Sequence, residues 1–141
     1  METSFKSRAF PFVFWIMIIV LLVDTYDTFS REVIGYFKGS IPLGDINVEP
    51  STLGLFVSVI QIILVLYGIY LLFKKKKVGG YWVVGVNFVA VGVNFVLFFL
   101  GFIPGPSSES FSQLFLFIFI YFIVLCLVAI GIPRFYSEKF D

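Results

Sequence analysis

Four apolar blocks separated by short polar stretches dominate the chain. Each block has about 20 residues, which is long enough to cross a bilayer as a helix. The third block contains no charged residue over 79–103 and repeats the phrase Gly-Val-Asn-Phe-Val at 85–89 and 92–96. The pattern predicts a single domain, an all-α integral membrane protein built as a four-transmembrane-helix bundle.

The predicted elements follow from the positions where polar residues interrupt the apolar blocks. Ser51 or Thr52 is the expected N-cap of the second span, and a run of four lysines ends that span. The first half of the longest polar segment is also compatible with a first helix that continues beyond the membrane. We predict transmembrane helices at about 9–28, 52–73, 80–103 and 111–132, an outer loop at 29–51, an inner lysine-rich turn at 74–79, an outer turn at 104–110 and an inner tail at 133–141.

The basic residues predict the orientation, since loops on the cytoplasmic side carry an excess of Lys and Arg. With both termini in the cytoplasm, Arg31 and Lys38 are the only basic residues left outside. We therefore expect a multi-pass protein of the cell (plasma) membrane with its N and C termini cytoplasmic. The lysine run marks a helix end on the inner side and is also a candidate contact for anionic lipid: Lys74, Lys75, Lys76 and Lys77.

Composition supports this class and excludes many chemistries. Hydrophobic residues make up 60% of the chain, charged residues only 13%, and the mean hydropathy is +1.03. Histidine is absent and Cys126 is the single cysteine. These gaps exclude a histidine-ligated haem, a Cys/His zinc site, an intrachain disulfide and a Ser-His or Cys-His nucleophile within this chain. We expect no enzyme activity, no cofactor and, at a net charge of +1, no nucleic-acid partner.

Small and polar residues form stripes in the second and third spans. Seven residues are nearly two helical turns, so the repeat places its glycines and its asparagines on nearly opposite sides of one helix. The third helix is therefore expected to be touched on two sides. We predict helix-packing or passage-lining roles for Gly54, Ser58, Gln61, Gly68, Gly85, Asn87, Gly92 and Asn94.

Asp24 and Asp27 share a face at the predicted outer end of the first helix, with Arg31 one turn further on. One hypothesis is a cation or proton site at an outer mouth, since hard cations prefer clustered oxygen ligands. The alternative is that both acids have left the membrane and are solvated or paired with Arg31. On these boundaries no acid or base lies in the middle of any span, although a proton-coupled transporter normally needs one.

The sequence therefore favours a non-catalytic accessory or structural subunit of a larger membrane complex, docking through its helix faces and the first outer loop. Its expected partners are membrane lipid and other membrane subunits or a second copy. An alternative is a homo-oligomeric channel or a transporter of ions or small solutes. A third hypothesis is a lipid- or quinone-binding membrane module.

Overall fold

The first helix is longer than the apolar pattern predicts. The computed structural model describes residues 2–39, 41–43, 46–48, 51–101 and 111–141. An α-helix over Glu2–Thr28 continues through a π-helical segment, Phe29–Ile34, into a last turn, Gly35–Lys38, and we call this continuous helix α1. It ends where Gly39 takes the left-handed conformation, with φ at 91°. The outer segment predicted at 29–51 therefore begins helical.

A short hairpin and the second span follow α1. Strands β1, Ile41–Leu43, and β2, Ile46–Val48, pair antiparallel. Helix α2, Thr52–Phe73, has the predicted bounds. Its predicted N-cap is confirmed, because Ser51 is extended and its Oγ accepts the backbone N–H of Gly54 at 3.0 Å.

The remaining two helices complete the bundle. Helix α3 covers Val78–Phe99. Helix α4 is continuous from an α-helical part, Phe111–Cys126, through a π-helical segment, Leu127–Gly131, to a last turn, Ile132–Phe135. The outer turn predicted at 104–110 lies outside the described residues.

Within the described residues, four helices are long and apolar enough to cross a membrane, which indicates a multi-pass membrane protein. Helices α2 and α3 pack along most of their lengths, and α1 lies against α2. Helix α4 closes the bundle by contacting α3 and the N-terminal half of α1. Most large apolar side chains of α4 remain on the outside, as expected for a surface solvated by lipid.

Glycines set the close approach of α2, α3 and α4. A Cβ on Gly68 of α2 would lie 2.7 Å from the Cγ2 atom of Val83 on α3. A Cβ on Gly80 would collide with the backbone carbonyl of Ala129, which belongs to the π-helical segment of α4. Such contacts increase van der Waals packing between helices. This packing drives helix association in lipid, where there is no hydrophobic driving force between helices.

The predicted inner tail is a packed part of the fold. Tyr136 and Phe140 are buried against Phe10 and Phe14 of α1. Aromatic rings therefore hold the end of the chain against the beginning of α1.

The tail also bonds to the lysine-rich turn. The N–H of Lys77 donates to the carbonyl of Asp141 at 3.0 Å, and the N–H of Asp141 donates to the carbonyl of Lys75 at 2.7 Å. Lys6 pairs with Glu138 at 3.6 Å, and a backbone hydrogen bond at Glu138 together with this lysine lowers the pKa of the Glu138 carboxyl. Both described termini and the lysine turn thus lie at one end of the bundle.

We predict that Gly80→Ala destabilises the protein by about 1–3 kcal/mol, because the new methyl group meets backbone and cannot be accommodated by a rotamer change. The apparent melting temperature in detergent measures the effect. Gly85→Ala is the matched control on the same helix, since a Cβ there meets nothing within 4 Å and alanine favours the helix by about 1 kcal/mol. Equal melting temperatures for the two variants would contradict the packing assigned to Gly80.

Candidate functional site

The centre of the bundle is polar where α2 faces α3. On α2, the predicted stripe points inward: Ser58, Val65 and Gly68 are buried, while Gly54 and Gln61 are half-buried. The Nε2 atom of Gln61 donates to Oδ1 of a buried asparagine on α3, Asn87, at 2.6 Å. The predicted interhelical role of these two amides is thus visible in the fold.

The hydrogen bonds determine how both amides are oriented. Asn87 donates through Nδ2 to the backbone carbonyl of Val83 at 2.8 Å. The carbonyl of Val83 can only accept, so the amide nitrogen of Asn87 must face it and the amide oxygen of Asn87 faces Gln61. Gln61 therefore donates to that oxygen through its amide nitrogen. The Oε1 atom of Gln61 is then left without a hydrogen bond to any described residue.

A carboxyl group from α1 faces the same region. The hydroxyl of Tyr121, on α4, donates to Oδ2 of Asp24 at 2.7 Å. Two threonine hydroxyls stand beside it: Thr25 donates to the carbonyl of Leu21 at 2.8 Å, and Thr28 donates to the backbone carbonyl of Asp24 at 3.2 Å. All four helices therefore contribute polar side chains to one place.

This cluster lies near the middle of the helices that form it. Asp24 lies near the middle of the continuous helix Phe5–Lys38. Gln61, Asn87 and Tyr121 each lie about nine residues, or about 14 Å, from the nearer end of their own helices. A hydrocarbon core about 30 Å thick, if centred on these helices, would have the cluster near its middle.

Two expectations assumed a first helix that is shorter than α1. Asp24 does not lie at the outer end of α1, because the helix continues for about 21 Å beyond it. The middle of the longer helix α1 does contain an acidic residue. An acidic side chain at this depth is a functional candidate by default, because burying a carboxyl in hydrocarbon is costly.

A small cavity accompanies Asp24. It is lined by the residues of the polar cluster on α1, α2 and α3 together with two apolar side chains: Asp24, Thr25, Thr28, Gln61, Ile62, Val65 and Asn87. It leaves about 10 Å³ for the centre of a water-sized sphere. This volume is about what one water molecule or one small ion requires.

Asp27 belongs to a different environment. Its Oδ2 atom accepts a hydrogen bond from Nη1 of Arg31 at 2.7 Å, and its side chain is 66% exposed. Arg31 also lies 3.5 Å from Glu32, measured from Nε to Oε1. The paired alternative therefore describes Asp27, whereas Asp24 turns inward, so the two acids do not share hydrogen-bond partners.

The two copies of the repeat on α3 differ in environment. Asn87 is buried, while Asn94 is half-buried and forms no side-chain hydrogen bond with the described residues. Gly85 and Gly92 lie on the opposite, exposed face, where a Cβ would meet nothing within 4 Å. In the described chain α3 is thus touched on its asparagine side, and the expected packing of these two glycines is absent within the bundle.

The remaining predicted residues lie at the end of the bundle where the termini meet, or on the surface. Lys75 lies over the ring of Phe10 at 5.6 Å, and Lys76 is 3.6 Å from the carboxylate of Asp141. Lys74 lies over the ring of Tyr70 at 5.7 Å, so part of the lysine run is already engaged within the chain. Cys126 is exposed on α4.

Tyr121 is the residue that the sequence reasoning missed. It is the only side chain with a hydroxyl group in the apolar run 114–132. A lone phenol in the middle of an otherwise apolar span is a usable signal, because a buried tyrosine hydroxyl normally finds a partner. The sequence does not reveal this partner, because Asp24 is 97 positions away along the chain.

Comparison with protein families, with curated proteins and with solved structures finds no match to this chain.

We predict that Asn87→Val destabilises the bundle by about 1 kcal/mol, because it removes the partner of Gln61 and leaves the amide nitrogen unpaired. Unfolding by denaturing detergent, followed by circular dichroism, measures the loss. Asn94→Val, at the equivalent position of the other copy of the repeat, should leave stability nearly unchanged. Equal losses in both variants would contradict a specific role for the hydrogen bond between Gln61 and Asn87.

Proposed function

We propose that the protein is an accessory or structural subunit of a membrane complex and that it docks through the exposed face of α3. The observation that carries this proposal is the position of Gly85 and Gly92, which are exposed and have open space where a side chain would be. A glycine in the middle of a helix costs about 1 kcal/mol relative to alanine. Its usual compensation in a membrane is the close approach of another helix.

The surroundings of the two glycines support helix docking. Phe88, Val89 and Val96 lie on the same side of α3 and are more than half exposed, and we propose that the glycine positions leave a shallow groove beside these larger side chains. The seven-residue spacing of the glycines matches the repeat of a left-handed helix pair. A helix from another subunit, or from a second copy, fits this groove.

Helix α4 extends the proposed contact surface. Its outer half is rich in exposed aromatic residues, among them Phe117 and Phe119. Lipid tolerates such a surface, and so does an apolar partner. The first outer loop, proposed as a further contact, includes the hairpin of β1 and β2.

We further propose that the protein is located in the plasma membrane with both termini in the cytoplasm. The support is that the beginning of α1, the lysine-rich turn and the C-terminal tail lie together at one end of the bundle. That end carries most of the Lys and Arg residues, as expected for the cytoplasmic side. Anionic lipid headgroups are proposed partners of the lysine run.

A second candidate function is favoured by the depth of Asp24. A homo-oligomeric channel or transporter of ions needs an ionisable group within the hydrocarbon region, and we propose Asp24, near the middle of α1, for this role. Gln61 and Asn87 line the same cavity. In this candidate they form part of a polar path.

We predict that Gly92→Leu, alone or with Gly85→Leu, separates the protein from its partner while the bundle stays folded. The new side chain fills the groove that the partner helix occupies, yet it has no neighbour to strike within the chain. Native mass spectrometry of the gently extracted complex measures partner loss, and the melting temperature reports folding.

The matched control for this experiment is Val59→Leu, an exposed position on α2. It should leave the complex intact. If the glycine variants retain the partner at the same stoichiometry as the control, the proposed docking face is wrong. A homo-oligomer in place of a different protein would assign the same face to self-association.

We predict for the second candidate that Asp24→Asn lowers cation flux into reconstituted vesicles at least about tenfold, because it removes the only carboxylate among the described residues that line the cavity. A tenfold loss corresponds to about 1.4 kcal/mol. Asp27→Asn should retain flux, because its carboxyl is exposed and paired with Arg31. Dye-loaded vesicles with imposed proton or sodium gradients provide the measurement. No flux in the wild-type protein would exclude the transport candidate.

A further inference from the structure

We infer that the cavity beside Asp24 binds one small monovalent cation, of the size and oxygen preference of Na⁺, in competition with a proton. The inference concerns binding and requires neither the docking role nor transport. It is based on charge, on the available ligand atoms and on the volume of the cavity.

The charge of Asp24 has no protein counterion of its own. On α1 the nearest cation is Arg31, which already contacts the carboxylates of Asp27 and Glu32. The groups facing Asp24 from the other helices are uncharged: Tyr121 from α4, Gln61 from α2 and Asn87 from α3.

Three carboxylates therefore share one guanidinium in this part of the described chain. A carboxylate left unpaired in a medium of low dielectric constant is costly, and in practice it is neutralised by a proton or by another cation. A cation in the cavity supplies the missing positive charge at mid-depth.

The atoms available to a cation are oxygens. Tyr121 uses Oδ2 of Asp24, so Oδ1 is without a hydrogen bond to the described residues. The orientation of the amides also leaves Oε1 of Gln61 without a hydrogen bond to the described residues. Thr25 and Thr28 direct their hydroxyl hydrogens to backbone carbonyls, which leaves the lone pairs of their oxygens for a ligand.

A carboxylate, two hydroxyls and an amide carbonyl are the ligand set that hard cations prefer. All four residues line the cavity, whose volume of about 10 Å³ admits one small ion or one water molecule. A single carboxylate neutralises a single positive charge. A divalent ion would leave a net charge of +1 in apolar surroundings, which is unfavourable.

The first test uses the intact protein in detergent and compares sodium, potassium and choline chloride at equal ionic strength. We expect sodium to raise the melting temperature saturably, more at alkaline than at acid pH, because protons compete for Asp24. Asp24→Asn should weaken the apparent sodium affinity at least about tenfold, and Thr28→Val should weaken it severalfold. Asp27→Asn is the matched control and should bind sodium as the wild-type protein does.

A second measurement needs no variant that perturbs folding. Dicyclohexylcarbodiimide is an apolar reagent that modifies protonated carboxyl groups, and mass spectrometry of peptides locates the modification. We expect Asp24 to be labelled at acid pH and to be protected by sodium but not by choline. Asp27 should show no sodium protection.

Two other outcomes would overturn the inference. Labelling of Asp24 that sodium does not change would establish a proton site without a cation. Equal sodium stabilisation of the wild-type protein and Asp24→Asn would place any bound sodium elsewhere. Sodium binding without flux supports the site and excludes only the transport candidate, so the two ideas fail independently.

Discussion

Polar groups inside an apolar helix bundle must satisfy one another, because the surrounding hydrocarbon offers no hydrogen bonds. This constraint determines the centre of the fold. Asn87 accepts from Gln61 and donates to the carbonyl of Val83, which joins α2 to α3. Tyr121 donates to Asp24 and joins α4 to α1. Both interhelical bonds lie near the middle of the helices they join, so they fix the register of α2 against α3 and of α4 against α1.

At the end of the bundle where the termini meet, close packing holds the helices together. Gly68, Gly79 and Gly80 allow backbones to approach where a methyl group would collide, and the rings of Tyr136 and Phe140 cover the start of α1. The outer half of α4 lies more openly, with much of its apolar surface exposed. The bundle is thus tightly closed where the termini meet and leaves large apolar surfaces elsewhere.

The two functional proposals use different parts of the molecule. The docking proposal concerns the outer face of α3, where Gly85 and Gly92 have no neighbours within the chain. The cation proposal concerns the interior, where Asp24 lines a cavity with threonine and amide oxygens. Because α3 presents its glycines outward and Asn87 inward, this one helix belongs to both the proposed docking face and the cavity. A partner pressing on the glycine face would act on the same helix that carries Asn87.

The sequence by itself determined the class of protein, the bounds of α2 and its N-cap, because hydropathy and capping are local properties of consecutive residues. It also placed the small and polar residues of α2 on one stripe and suggested interhelical roles for the polar amides. The length of α1 could not be read from hydropathy, since Arg31 and Glu32 look like the end of a span, although in the fold their charges are paired with neighbours. Only the tertiary structure decided that Asp24 lies near the middle of α1, that Tyr121 is its partner and that the repeated glycines face outward. Those outcomes depend on which helices become neighbours, and contacts between residues 97 positions apart leave no periodic signal in the chain.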